Sequence, residues 1–120
     1  MLTHLNNVVL YCTDTEASRT WYEQVGFTYL RGFHGMHWVG LGDLEIMLHP
    51  SAEGPAGAVP QLYGAVDDLD AFFQHLVSRG LTPVHHQVEG PLRAPVTTPW
   101  GSREVELHDP DGHRWGFVQD

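Results

Sequence analysis

The stretch VVLYCTDTEASRTWYEQVGFTYL (residues 8–30) lies over LYGAVDDLDAFFQHLVSRGLTPV (residues 62–84) at a constant offset of 54, which sets Asp14 on Asp68, Gly26 on Gly80 and Phe27 on Leu81. Each copy reads as an apolar strand, an aspartate at a helix N-terminus, an amphipathic helix and a glycine where the helix stops. Aspartate suits the first position because its carboxylate accepts an otherwise unpaired backbone N–H, and glycine suits the last because it adopts positive φ at no steric cost. In the first helix Ala17, Trp21 and Val25 recur every fourth residue, and in the second Leu69, Phe72, Phe73, Leu76 and Val77 make a wider stripe, so each helix has a face to bury.

Short strand-like runs separated by turn residues follow each helix: FTYLRGF, MHWVGLG and LEIMLH in the first half, LTPVHHQV, REVELHD and HRWGFVQ in the second. The Pro, Gly and Ala content of residues 51–59 marks a linker. The expected fold class is α+β: one domain, residues 1–120, made of a β-α-β-β-β module over 1–50, the linker 51–59 and a second module over 60–120. Each module covers one sheet face with its helix and leaves the other bare. Two modules, from one chain or from two chains exchanging them, can set those bare concave faces together around a cleft.

With 42% hydrophobic and 18% charged residues, the chain is globular rather than disordered or fibrous. No apolar run approaches a membrane span and no signal-peptide layout precedes the first strand, so a soluble, cytoplasmic protein is expected. A net charge of −9 repels nucleic acid and anionic membranes and favours cationic ligands; neither nucleic acid nor membrane is expected as a partner. The single cysteine, Cys12, sits in an apolar run and reads as a buried thiol.

In HDPDGH (residues 108–113) the order Asp109, Pro110, Gly112 is that of a tight hairpin turn. The histidines and aspartates there are therefore expected to flank a turn rather than to converge on a metal. His34 and His37 flank another turn, and both are expected to be surface or half-buried residues. His85 and His86, adjacent in an expected strand, should point to opposite faces and so not chelate together.

The repeated β-α-β-β-β unit, with D-x-x-x-S-x-x-W-Y-x-x-V-G-F in the first helix and PWGSREVELHDPDGHRWGF near the end, resembles the vicinal-oxygen-chelate superfamily of glyoxalases, extradiol dioxygenases and bleomycin resistance proteins. The PWG-x-RE and DP-x-G elements look most like the bleomycin resistance proteins, which sequester an antibiotic unaltered. The resemblance implies, for the superfamily's enzymes, a divalent metal held from four strand positions. Here those positions carry Asn7, about Met47 (His49 or Leu48 with a one-residue shift), Gln61 and Gly116. A thioether, a glycine and a neutral carboxamide are poor ligands for a hard divalent cation. No metal, no other cofactor and no catalytic residue is therefore expected, and the enzyme reading, a metal-dependent lyase, isomerase or dioxygenase, is the alternative.

Strand alternation sends Asn7, Val9 and Tyr11, and likewise Gln61, Tyr63 and Ala65, to the cleft, with Val8, Leu10 and Cys12 toward the first helix. Trp115 and Phe117 should pack beneath the second helix. The expected ligand-binding set is Asn7, Tyr11, Trp38, Met47, His49, Gln61, Tyr63, Trp100, Glu104 and Glu106. Such aromatic and acidic groups suit a flat cationic ligand, such as a bleomycin-type glycopeptide. The resemblance also implies a homodimer.

Overall fold

The fold is that of a computed structural model describing residues 1, 3, 6–55 and 60–119. Two compact units divide the chain, Met1–Val59 with Asp109–Gly112 and Pro60–His108 with His113–Asp120. Each is a four-stranded mixed sheet with one helix, so the α+β class expected from the repeat is the one observed.

In the first unit β1 (Val8–Cys12), α1 (Thr15–Val25), β2 (Thr28–Phe33), β3 (Met36–Leu41) and β4 (Leu44–Pro50) form a sheet of order β1-β4-β3-β2, with β1 parallel to β4 and the other pairs antiparallel. Asp14 caps α1 by accepting the Ala17 N–H at 3.0 Å, and Gly26 closes it at φ 130°. Alternation along the strands sends Leu10, Cys12, Ile46, Leu48 and Val39 into the core and Val9, Tyr11, Met47, His49 and Trp38 to the opposite face.

The buried stripe of α1 is Ser18, Tyr22 and Val25, not the expected Ala17, Trp21 and Val25; Ala17 is exposed and Trp21 half-buried. A polar demand rotates the helix. Asp109–Gly112 forms the expected turn, with Gly112 N–H donating to the Asp109 carbonyl at 2.9 Å and Gly112 at φ 84°. Its carboxylates need donors. Tyr22 Oη donates to Asp109 Oδ2 at 2.8 Å, and Thr13 donates to Asp111 Oδ1 from both its backbone N, at 2.9 Å, and its hydroxyl, at 2.8 Å. Fully buried Cys12 lies beside this cluster, and burial pushes its thiol up to about 12, opposed by a hydrogen bond with Ser18 and reinforced by Asp111 and Asp109. The thiol is thus inert as a nucleophile at neutral pH.

The second unit orders β5 (Leu62–Val66), α2 (Leu69–Ser78), β6 (Val96–Thr97), β7 (Arg103–His108) and β8 (Arg114–Gln119) as β5-β8-β7-β6. Asp68 caps α2 through the Ala71 N–H at 3.0 Å. Leu69, Phe73 and Leu76 of α2 are buried with Val105, Leu107, Trp115 and Phe117, while Val77, expected in the stripe, is exposed. Phe72 rests on Phe117 at 4.9 Å between ring centroids.

The run LTPVHHQV is not a strand. Val84 makes a single bridge with Glu106 of β7, through backbone bonds of 2.8 and 2.7 Å, and the chain then turns, with Val88 N–H donating to the His85 carbonyl. The edge position beside β7 is resumed only by β6, opposite Glu104 and Arg103. Of the linker residues, Ser51–Pro55 are described, with Ser51 N–H bonded to the Cys12 carbonyl at 2.9 Å; residues 56–59 lie outside the described set.

Candidate functional site

The face of the first sheet opposite α1 carries four of the residues singled out from sequence. Val9 pairs with Met47 and Met47 with Trp38, so these form one row across β1, β4 and β3; Tyr11 and His49 pair in the next, their rings 5.5 Å apart. Met47 and His49 share this face and Leu48 is buried behind it, so Leu48 drops out of that strand position while Met47 and His49 both remain on the open face. Asn7 lies just before β1, its amide donating to Asn6 at 2.8 Å. Trp38 already holds a cation: the Arg31 guanidinium sits 4.9 Å from its ring centroid, steered by a two-pronged pair with Glu45 at 2.8 and 3.2 Å.

The corresponding face of the second sheet gathers the other five. Tyr63 of β5 opposes Gly116 of β8, which opposes Glu106 of β7. A Cβ on Gly116 would stand 2.5 Å from Tyr63 Cε1, 2.7 Å from Cδ1 and 3.2 Å from Gln61 Nε2, so the Tyr63 ring and the Gln61 amide fill the space a side chain there would need. Gln61 Nε2 reaches across to donate to Glu106 Oε2 at 3.1 Å. Trp100 stands in the turn before β7, 63% exposed, its indole N–H contributing a hydrogen bond to Glu104.

Glu104 and Glu106 are buried rather than solvated, and each is matched to a histidine that sequence reasoning set aside. His85 Nε2 donates to Glu104 Oε1 at 3.0 Å, while Ser102 Oγ donates to Glu104 Oε2 at 2.7 Å. His86 gives Glu106 both its backbone N–H and its Nδ1–H, each at 2.8 Å. His85 and His86 do not point to opposite faces: the turn stacks their rings 4.4 Å apart, and a strand alternation rule does not hold where the strand ends. His37, expected at the surface or half-buried, is buried between Tyr29 and Glu16.

Burial pushes the Glu104 carboxyl up, but the bonds from His85 and Ser102 and the charge of His85 outweigh it and hold it below the usual glutamate range. Glu106 follows the same pattern, burial opposed by His86 and Gln61. The two carboxylates in turn raise the Tyr63 phenol, after burial, which is the larger cause. A carboxyl depressed on folding stabilises the native state above its unfolded value and loses that contribution as pH falls through the folded one. Stability therefore declines as pH drops below the ordinary value of 4.5, and the Glu104→Gln/Glu106→Gln variant flattens that limb in denaturant melts at pH 7, 5 and 4.

A family model described as the glyoxalase/bleomycin resistance protein/dioxygenase superfamily matches residues 4–117. The chain belongs to this superfamily. Among solved structures it is similar to a bleomycin-binding protein complexed with bleomycin, at 25% identity over 98% of this chain and 99% of that one, TM-score 0.73. A bleomycin resistance determinant encoded on the transposon Tn5 is 24% identical over 98% of both chains, TM-score 0.75. A lactoylglutathione lyase from Agrobacterium tumefaciens is 20% identical over 98% of this chain and 94% of that one, TM-score 0.69. The last two show the shared fold. Comparison with curated proteins gave no match. Among the described residues no helix is long and apolar enough to cross a membrane.

The superfamily's metal can be tested against the residues here. Gly116 offers no donor and its space is filled by Tyr63, Met47 offers a thioether, and Asn7 and Gln61 offer only neutral carboxamide oxygens with no carboxylate beside them at these positions. These residues do not fit a hard divalent cation.

Proposed function

We propose that this superfamily member binds and sequesters a planar, cationic small molecule of the bleomycin type, as a cytoplasmic homodimer, without a metal at the four strand positions. The observation that carries the reading is the pairing of Tyr63 with Gly116: where the resemblance to the enzymes would put a carboxylate, this chain has an aromatic ring over a bare backbone. The similarity to a bleomycin-binding protein supports the ligand class. Trp38 supports it chemically, because its ring already takes a guanidinium in the way a ligand cation would be taken. Within the first unit Tyr11, Met47 and His49 offer further stacking surface and Asn7 a polar contact; within the second, taken by itself, Tyr63 and Trp100 are the candidate stacking groups and Gln61, Glu104 and Glu106 the candidate polar ones.

Titration with bleomycin, followed by tryptophan fluorescence, is expected to quench the signal saturably. Trp38→Ala weakens binding by about 2 kcal/mol, roughly 30-fold, while circular dichroism stays unchanged. Unaltered affinity in that variant removes Trp38 from the site; no saturable quenching by any planar cation overturns the binding reading. Sedimentation at micromolar concentration checks the dimer.

A further inference from the structure

The turn after α2 builds a cluster that neither the family match nor the sequence motifs assign. One ring nitrogen of His85, one of His86 and one carboxylate oxygen of Glu106 lie within 4.8 Å of one another. We propose that these three side chains form a binding site for a borderline divalent transition metal, of the zinc or nickel type, with an open position for an outside ligand.

The donors are of the right kind, since two imidazoles and one carboxylate suit such an ion far better than the residues at the four strand positions do. Donors at about 2.0–2.2 Å on a tetrahedral ion stand roughly 3.4 Å apart, so the cluster must close by up to roughly 1.4 Å. His86 can supply that movement: its side chain is 45% exposed and sits in a turn, whereas those of His85 and Glu106 are buried. Its exposure also gives an ion a path in.

The surroundings hold the ligands in place. Two backbone bonds, 2.8 and 2.7 Å, pin Val84 beside Glu106, which delivers the next two residues to the carboxylate. Gln87 N lies 3.2 Å from His85 Nδ1 and Glu104 Oε1 lies 3.0 Å from Nε2, contacts that fix the orientation of the ring. Glu104 behind His85 and Gln61 beside Glu106 are outer partners of the sort that orient metal-bound side chains. The cluster opens on a groove of about 480 Å³ walled by Val84, Val88 and Pro91, with Arg114 on its rim. That arginine favours an anionic oxygen donor on the metal's open position.

Calorimetry of the chelator-treated full chain with Zn²⁺, and visible absorption with Co²⁺, test the site. We expect one ion per chain, a step lost in His86→Ala and in the size-matched Glu106→Gln, and kept in His34→Ala, with circular dichroism unchanged in all three. No stoichiometric uptake by the parent chain, or uptake undiminished in His86→Ala, overturns the proposal. So does uptake that survives His86→Ala and disappears in His49→Ala, which would return the metal to the strand positions and count against the metal-free reading as well.

Discussion

Trp115→Ala lowers the unfolding free energy by about 3–5 kcal/mol, a large share of what a domain of this size has. The indole is 2% exposed on the helix side of the second sheet, between Leu62 and Leu107 on the neighbouring strands and parallel to Phe117 at 6.2 Å. Truncation removes its apolar burial and leaves a hole that β5 and β7, each laddered to the central β8, cannot readily close. Urea unfolding of parent and variant measures the difference from the shift in midpoint at constant slope. Trp100→Ala, at an exposed turn, is the internal comparison and should shift the midpoint far less. Equal shifts for the two would mean that Trp115 does not sit in a packed core.

Asp109→Ala is the second large effect, about 1–3 kcal/mol, and it arises from polar rather than apolar loss. Asp109 is 4% exposed; its Oδ2 accepts from the Tyr22 hydroxyl and its Oδ1 from the Asp111 N–H at 3.0 Å. The alanine variant leaves the Tyr22 hydroxyl, itself fully buried, without this acceptor, and removes the side-chain bond that shapes the turn. Tyr22→Phe in the Asp109→Ala background should recover part of the loss, since a phenyl ring leaves no hydroxyl to satisfy. A double-mutant cycle measures this coupling. Strictly additive losses would show that the 2.8 Å bond contributes nothing.

The repeat itself was legible because the signals that mark it are local. Asp14 and Asp68 cap, Gly26 and Gly80 stop, and both helices close alike, Phe27 N–H on Tyr22 and Leu81 N–H on Leu76, each at 3.0 Å. Strand parity likewise carried Tyr11 to the face opposite α1, and Trp115 and Phe117 belong to the helix side of their own sheet. What failed depended on partners distant in sequence. The stripe of α1 could not be read from apolar spacing because Tyr22 is turned inward by Asp109, 87 residues away. His85 and His86 were assigned by alternation to opposite faces. Their meeting depends on a turn at the end of a single bridge, and on two glutamates in β7 that the sequence offered only as ligand contacts. A pair of adjacent histidines some 20 residues before Glu-x-Glu was the available signal.

The offset of 54 that aligns the two halves also shows where they have parted. Ser18 and Tyr22 fall on Phe72 and Leu76, so a helix that received an acidic turn stands against one that received only hydrocarbon. The turn belongs to the first unit by its contacts and to the second half by its place in the chain. Chimeras made by joining halves of two relatives at the linker would therefore inherit Thr13 and Tyr22 from one parent and Asp109 and Asp111 from the other. A crossover that carries residues 109–112 along with the first half keeps donor and acceptor in the same lineage.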